Sequence, residues 1–414
     1  MPPLPEVSGT PQPLADLVAD TGETRQIKAR YVVGADGANS LVRRLLGQEF
    51  KGKTFAEDWL VVDAKRVPRP IDHVEFICDP RRPTPHMVAP GGRQRWEFKL
   101  NPGETREEME RPETVARLLR PWTEGQHIEI ERVAVYRFHA RVAERFSAGR
   151  VFLVGDAAHI TPPFVGQGLV AGLRDVANLA WKLSWVCQGR ASESLLNSYD
   201  QERRPHVKAM IDLAKMMGRL VMPSNHAAAF LTHGVMSALT RVPRLRRLFE
   251  NLEIKPPNRF KHGFFIKAER CARLRHGEQM PQVWLRSPYT AEVMLSDDAL
   301  GTGLVMVGYG EDPSAGLSAD LAEAWSACGG GFVQINPRGK AAQPSALPLW
   351  EDLGGSLMPT AVPVGWVAIV RPDKVVVHDG PCTEAPRLIR QVLGLMSPSN
   401  LRLTSAPALT GALH

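Results

Sequence analysis

Residues 151–172 read VFLVGDAAHITPPFVGQGLVAG. An apolar run ends at Gly155-Asp156, two prolines follow, and three glycines fall between Gly166 and Gly172. No other segment constrains the fold as tightly. Val151–Val154 has the character of a buried strand, an acid closes it, and backbone with few side chains then enters a helix. In α/β folds ligands collect at the carboxyl ends of strands. The stretch GQGLVA, Gly166–Ala171, formally fits the dinucleotide fingerprint G-x-G-x-x-G/A. That fingerprint needs a strand directly before it and an acid about 20 residues on, ending a second strand. Here Pro162-Pro163 precede it and helical sequence follows. The segment therefore reads as a glycine-rich helix amino terminus, whose free N–H groups and positive dipole end suit an anion or an electron-rich ring.

Asp156 alone fits a capping role after a strand as well as a ligand role. Ala157-Ala158, which let a ligand approach, and Pro162-Pro163, which stiffen the turn, favour the second. His159 reads as a satisfied structural histidine rather than a base, because nothing nearby supplies an orienting partner. Asp175 opens a helix and complements its dipole.

Length and composition bound the alternatives. The 414 residues suggest two or three domains, and 43% hydrophobic with 23% charged residues is ordinary for a soluble globular protein. No apolar run reaches the ~18 residues of a membrane span; Asn225, His226 and His233 interrupt the best window, Leu220–Leu239. The start MPPLPEVSGTPQPL has no basic region and no apolar core, so it does not read as a secretory signal. Cys78, Cys187, Cys271, Cys328 and Cys382 are scattered without CxxC, and the 12 histidines show no HxxxH or HExxH. These patterns argue against a disulfide framework and a metal site and suit a reducing cytoplasm. The net charge of +7 is spread out; its densest run, Arg241–Arg247, reads as a solvated helix face, so neither nucleic acid nor membrane is expected as a partner.

Along the chain, residues 1–13 are Pro-rich and expected to be disordered. QIKARYVVG (26–34) reads as a strand, and ADGANSLVRRLLG turns into a short helix. WLVVDAKRV, HVEFICD and RQRWEFKL form an antiparallel sheet separated by Pro/Gly turns. Residues 104–120 are helical, and Ile128–Phe138 alternates as a strand. Leu173, Val176, Ala177, Ala180, Leu183 and Cys187 recur at helical spacing and predict a wide apolar helix face. SLLNSYDQERRP predicts a helix ending before Pro205, and helical pattern runs on to about Leu252. From about residue 280 the texture is α/β: strands in GLVMVGYG and FVQI, a hairpin in AIVRPDKVVVHDG, a closing helix in PRLIRQVLGLM.

GRVFLVGDAAHITPPFVGQGLVAGLRDVANLAWKL resembles the GD motif of FAD-dependent aromatic hydroxylases, the group A flavoprotein monooxygenases. YVVGADGANSLVRRLLG, Tyr31–Gly47, resembles their DG motif, about 120 residues earlier and in the family's order. WLVVDA, FICDPRRPTP and RWEFKLNPGE are further similar to the 3-(3-hydroxyphenyl)propionate hydroxylase branch. The resemblance covers residue 20 to the carboxyl end. It implies an α/β fold: an incomplete FAD-binding Rossmann-like domain (14–56 and 129–260), an inserted antiparallel-sheet substrate domain (57–128) and a thioredoxin-like domain without CxxC (280–414).

The resemblance also implies roles. Leu153, Val154, Gly155, Asp156, Ala157, Ala158, His159, Ile160 and Thr161 would line FAD, with a buried Asp156 carboxylate on the ribityl hydroxyls. Pro162 and Pro163 would border the reacting edge of the ring, and Gly166, Gln167, Gly168 and Leu169 would face its pyrimidine side. Asp36 and Arg43 would serve FAD and the nicotinamide; from the residues alone they fit a turn aspartate and a surface arginine. The implied reaction is NAD(P)H-dependent ortho-hydroxylation of a phenol by O2 through a flavin C4a-hydroperoxide, in a cytoplasmic enzyme of aromatic catabolism that could form a homodimer. Arg93, Arg95 and Trp96 are substrate-side candidates by location, and no base is identified. Two departures stand out. The family's opening strand–GxGxxG–helix, which binds the ADP half of FAD, is absent, so the sequence is expected to be a fragment, a truncated gene product or one with a mis-called start, with FAD binding greatly weakened unless another chain supplies the missing part. Val170 stands where members commonly have Asn. A non-catalytic remnant serving as a binding or dimerisation module, and a related flavoprotein epoxidase or reductase, remain as alternatives.

Overall fold

In the computed structural model the described residues are 14–18, 23–221, 256–267, 273–340 and 346–397, with single positions and pairs between 229 and 242. The Pro-rich 1–13 segment, most of the helical pattern expected up to 252, the basic run beyond Val242 and Cys271 lie outside them. The chain divides into two compact units, Met1–Gly172 with Val207–Pro256, and Leu173–His206 with Pro257–His414. Residues 173–206 fall in the second unit, where buried charges on them are bonded.

In the first unit, β1 (Leu14–Val18) and β2 (Thr24–Lys28) form a hairpin, and β3 (Val32–Gly34) follows after a break. The single strand expected over 26–34 is thus two pieces. Helix α1 (Leu41–Leu45) leads into β4 (Phe50–Lys65), then β5 (Val74–Ile77), β6 (Thr84–Ala89) and β7 (Arg93–Lys99). Pro83 and Pro85 carry turn chemistry, yet β6 forms there and Pro85 sits in register opposite Phe76. Next come α2 (Arg106–Met109), started by a Thr105/Glu108 capping box, α3 (Pro112–Thr123), with Pro112 in its first turn, and β8 (Glu129–Ala143). The unit closes with β9 (Ser147–Ala148), β10 (Val151–Leu153), β11 (His159–Ile160) and the start of α4 (Gly168–Cys187).

Strands β11-β8-β4-β7-β6-β5 make one antiparallel sheet. Gly52 lets β4 close on β8: a Cβ there would stand 2.0 Å from the Ala140 carbonyl oxygen. One sheet face packs on α3 through Leu60, Val62, Trp96, Phe98, Val115 and Leu119. Each such side chain contributes about 1.5–3 kcal/mol of burial.

In the second unit, α5 (Asn197–Val221) begins after α4 and runs straight through Pro205. The expected stop there is overridden by burial of Glu202 and Arg203 just before the proline and Val207 just after it. A seven-stranded sheet follows from β12 (Trp284–Arg286), β13 (Val293–Leu295), β14 (Leu304–Tyr309), β15 (Gly330–Pro337), β16 (Leu349–Asp352), β17 (Trp366–Val370) and β18 (Val376–Pro381). Helix α6 (Ser296–Ala299) is short, α7 (Ala319–Ala327) crosses between the parallel strands β14 and β15, and α8 (Ala385–Met396) follows the β17–β18 hairpin. This βαβ-then-ββα order is consistent with the thioredoxin-like expectation.

Glu202 anchors this unit. Its carboxylate accepts from both Arg371 terminal nitrogens (2.7 and 2.9 Å), Lys182 Nζ (2.8 Å), Asn178 Nδ2 (2.6 Å) and Phe264 N–H (2.7 Å). Burial opposes its charge, but Arg371 and Lys182 hold it well below the usual carboxylate range. Burial pushes Lys182 down to about 8 against the pull of Glu202. Asp175 is not a dipole-complementing surface acid: it is fully buried and accepts from Arg203 Nε at 2.8 Å.

Candidate functional site: two turns on one pair of parallel strands

β3 and β10 pair in parallel, with Val32, Val33 and Gly34 opposite Val151, Phe152 and Leu153. The GADGANS and GDAAHITPP turns therefore leave neighbouring strands at the same end, and Val154 N–H donates to the Gly34 carbonyl at 3.0 Å to hold them level. Gly34 is required, since a Cβ there would meet Val42 at 2.9 Å.

Asp36 is spent on its own turn. It accepts from Ser40 Oγ (2.5 Å) and from the Leu41 and Val42 N–H groups (2.7 and 3.0 Å). Desolvation opposes its charge, yet Ser40 and these amides hold its pKa below the ordinary value. Arg43 is not the surface arginine of its residue-level reading. It is buried, donates to the carbonyls of Ala157 and Ala38 at 2.8 Å each, and lies 3.7 Å from the Phe50 ring centroid. It ties the DG helix to the GD turn rather than reaching outward, and burial lowers its pKa.

In the GD segment, Leu153, Val154, Ala157, Ala158 and His159 are buried. Gly155, in the left-handed region at φ 58°, opens a turn closed by Ala158 N–H to the Gly155 carbonyl at 2.8 Å. His159 stacks on Phe146, with centroids 5.7 Å apart, and Ile160 pairs beside it on β8. Asp156 is exposed, contrary to the expected buried carboxylate, and among the described residues no donor reaches it. Thr161 Oγ1 is buried without a hydrogen-bond partner in the structure, and Pro162 is buried. Pro163 begins a short turn ended by Gly166 at φ 60°; Gln167 precedes and Gly168 starts α4. Nothing lies within 4 Å of where a Cβ on Gly166 or Gly168 would stand, and Leu169 is 79% exposed.

Much of the expected apolar face of α4 is turned outward: Leu173 is 59% and Val176 49% exposed, Ala177 and Ala180 are exposed, and Leu183 and Cys187 are half-buried. The buried side carries Leu179, Trp181, Trp185 and Val186 together with Asp175, Asn178 and Lys182. Of the substrate-side candidates, Trp96 lies in the α3 core, stacked on His86 at 4.7 Å. Arg93 donates to the Pro90 carbonyl at 2.7 Å, and Arg95 forms a two-point pair with Asp63 at 2.7 and 2.9 Å. Sequence reading missed Phe164. From the Pro163–Val165 turn it contacts Trp59, Phe138 and Phe55 edge-on at centroid distances of 5.8–5.9 Å.

This donor set fits a flavin. An exposed carboxylate without partners suits hydroxyl groups, an orphaned Thr161 hydroxyl awaits a partner, and bare glycines leave helix-start N–H groups open to a flat ring. Among the described residues no group of three His, Cys, Asp or Glu side chains could hold a metal ion.

Comparison with known proteins agrees. Residues 13–214 match a family described as FAD binding domain, and residues 277–395 match the HcaD C-terminal domain. A 3-(3-hydroxy-phenyl)propionate/3-hydroxycinnamic acid hydroxylase of Comamonas testosteroni is 32% identical, over 91% of this chain and 73% of its own. The chain belongs to the FAD-dependent aromatic hydroxylases, most like this branch. A second such hydroxylase, from Burkholderia vietnamiensis (strain G4 / LMG 22486), is 40% identical over 76% of this chain, which spans 58% of that relative's length. The hydroxylase-family fold is shared with the flavin-dependent monooxygenase PieE (TM-score 0.69, 22% identity, 91% of this chain and 72% of PieE). Aklavinone-11 hydroxylase gives 0.66 at 22% identity, over 92% of this chain and 70% of that enzyme. Among the described residues no helix is long and apolar enough to cross a membrane.

Proposed function

We propose that the chain serves FAD- and NAD(P)H-dependent ortho-hydroxylation of a small phenolic acid of the 3-(3-hydroxyphenyl)propionate type by O2. The observation that carries this reading is the placement of both motif turns at one end of the β3–β10 pair, beside an open glycine-lined helix start. FAD, when bound, supplies the redox chemistry, taking hydride from the nicotinamide and activating O2. The chain's residues position and shield it. Asp156 would accept hydrogen bonds from the ribityl hydroxyls. The Gly166–Leu169 backbone would serve the pyrimidine side and favour negative charge there. Pro162 and Pro163 would border the ring and keep water from it, and Leu153–Thr161 would line the flavin. Asp36 and Arg43 act through the turn geometry they fix.

The purified chain is reconstituted with FAD and assayed for bound-flavin absorbance, for NAD(P)H oxidation stimulated by 3-(3-hydroxyphenyl)propionate, and for a catechol product. A protein that stays colourless would sink the reading for this chain. Asp156→Ala is expected to weaken FAD binding by roughly tenfold or more, the loss of hydrogen bonds to a charged group, without altering the melting of the flavin-free protein. An unchanged FAD affinity removes Asp156 from the site.

A further inference from the structure

Three rungs cross the strands β7, β4 and β8 on the sheet face opposite the α3 core: Lys99–Trp59–Tyr136, Glu97–Val61–Ala134 and Arg95–Asp63–Arg132. Residues directly paired across strands share a face. Trp59 stacks on Phe138 at 5.7 Å, and both rings meet Phe164 edge-on. Phe164 belongs to the turn between Pro162 and Gly166. The GD segment therefore lies against this face, and the face is where a ring beside that segment would rest.

Glu97 sits in the middle rung and is only 7% exposed. The cations that could neutralise it are occupied. Arg95 on its own strand is held by Asp63 of β4, Lys99 pairs with Glu57 at 3.6 Å, and Arg132 of β8 is held against Tyr136. Among the described residues no hydrogen-bond donor or ion-pair partner reaches the Glu97 carboxyl. Burial pushes it up to about 7, with Arg95 pulling down and Asp63 pushing up. In the adjoining rung the Trp59 indole N–H is also buried without an acceptor in the structure. A buried carboxyl without a donor costs free energy that a purely structural role does not return. A substrate hydroxyl donating to it would supply the missing partner. Val61 and Ala134 beside Glu97 are small.

We propose that Glu97 is the acid–base residue that takes the phenolic proton of the aromatic substrate. The phenol O–H bond breaks, a carboxyl O–H bond forms, and the electron pair stays on the phenolate oxygen, activating the ring. No oxidant is consumed in this step, and the proton returns to the product. The assignment rests on the hydroxylase reading above.

The test uses the full chain with FAD in excess, titrated with 3-(3-hydroxyphenyl)propionate near neutral pH and followed by the ultraviolet difference band of phenolate. The wild type is expected to bind the phenol with that band. Glu97→Gln, which keeps the shape, should bind it within about threefold of the wild-type Kd but lose the band by roughly tenfold or more; Glu97→Asp should restore part of it. A band that persists in E97Q overturns the assignment, as does a wild type that binds the phenol without ionising it. An E97Q protein that loses cooperative melting, or loses phenol binding altogether, marks Glu97 as structural or merely a binding group and overturns it too. A wild type that binds no phenol overturns the hydroxylase reading itself.

Discussion

A carboxyl raised to about 7 leaves a mark on stability that is independent of any ligand. Between its ordinary value near 4.5 and about 7, the folded state holds a proton on Glu97 that the unfolded state has released. Stability therefore falls as pH rises across that window, by on the order of 3 kcal/mol if Glu97 acts alone. Glu97→Gln should flatten this slope and raise the unfolding free energy above pH 7, with little change below pH 4.5. Urea denaturation at the two pH extremes measures it, and parallel profiles for both proteins contradict it. Arg43 makes the opposite case: Arg43→Met strands the Ala157 and Ala38 carbonyls and should cost about 2–4 kcal/mol without any flavin present. A direct dinucleotide role would instead leave the flavin-free melt unchanged. Both residues show where residue-level reading stops. RWEFK alternates like any half-buried strand, and nothing local in it marks Glu97; its burial comes from the fold, where Phe164, far along the chain, packs on Trp59 of the same sheet face. The DG motif marks Arg43, but only folding shows that it points back into the GD turn.

At the level of elements, α4 is the instructive case. Its periodicity identifies the helix correctly and its buried side wrongly, because the usual argument sends the apolar stripe inward. Here the inward side mixes Leu179, Trp181, Trp185 and Val186 with Asp175, Asn178 and Lys182, and the polar three are made tolerable by Arg203 and Glu202 on α5. Those partners stand 20 to 28 positions away, and Arg371 lies 169 positions from Glu202, so local sequence cannot announce them. The same network carries α5 through Pro205. Breaking one member of a buried charge set strands the others. Glu202→Gln should destabilise the second unit by about 3–5 kcal/mol in chemical denaturation. A loss under 1 kcal/mol would show that the network is not held as described. Conversely, Leu169→Ser and Leu173→Ser on the outward stripe should each shift stability by no more than about 0.5 kcal/mol; a larger loss would mean that the stripe is covered in solution. The β17–β18 hairpin and α8 were legible because turn chemistry and amphipathic spacing are local properties. β6 was not, because its prolines speak for a turn.

For the whole molecule, the sequence carries its family in two motifs, yet only the fold explains why two segments about 120 residues apart act together. They share an end of one parallel strand pair, and a buried arginine locks one turn to the other. The residues so gathered, from Asp156 to Leu169, offer an open carboxylate, an orphaned hydroxyl and a bare helix start, which the proposed function assigns to the ring and ribityl end of a flavin. This leads to a prediction about ligand length. If these residues supply the flavin contacts of the chain, FMN, which lacks the adenosine monophosphate part, should bind with an affinity within about threefold of FAD, since each tenfold difference needs about 1.4 kcal/mol of added interaction. Asp156→Ala should then weaken both ligands by the same factor. Fluorescence titration of the flavin-free protein with FMN and with FAD reads both quantities. FAD binding roughly 100-fold tighter than FMN would place a substantial adenosine site within these 414 residues and would require contacts beyond the two turns.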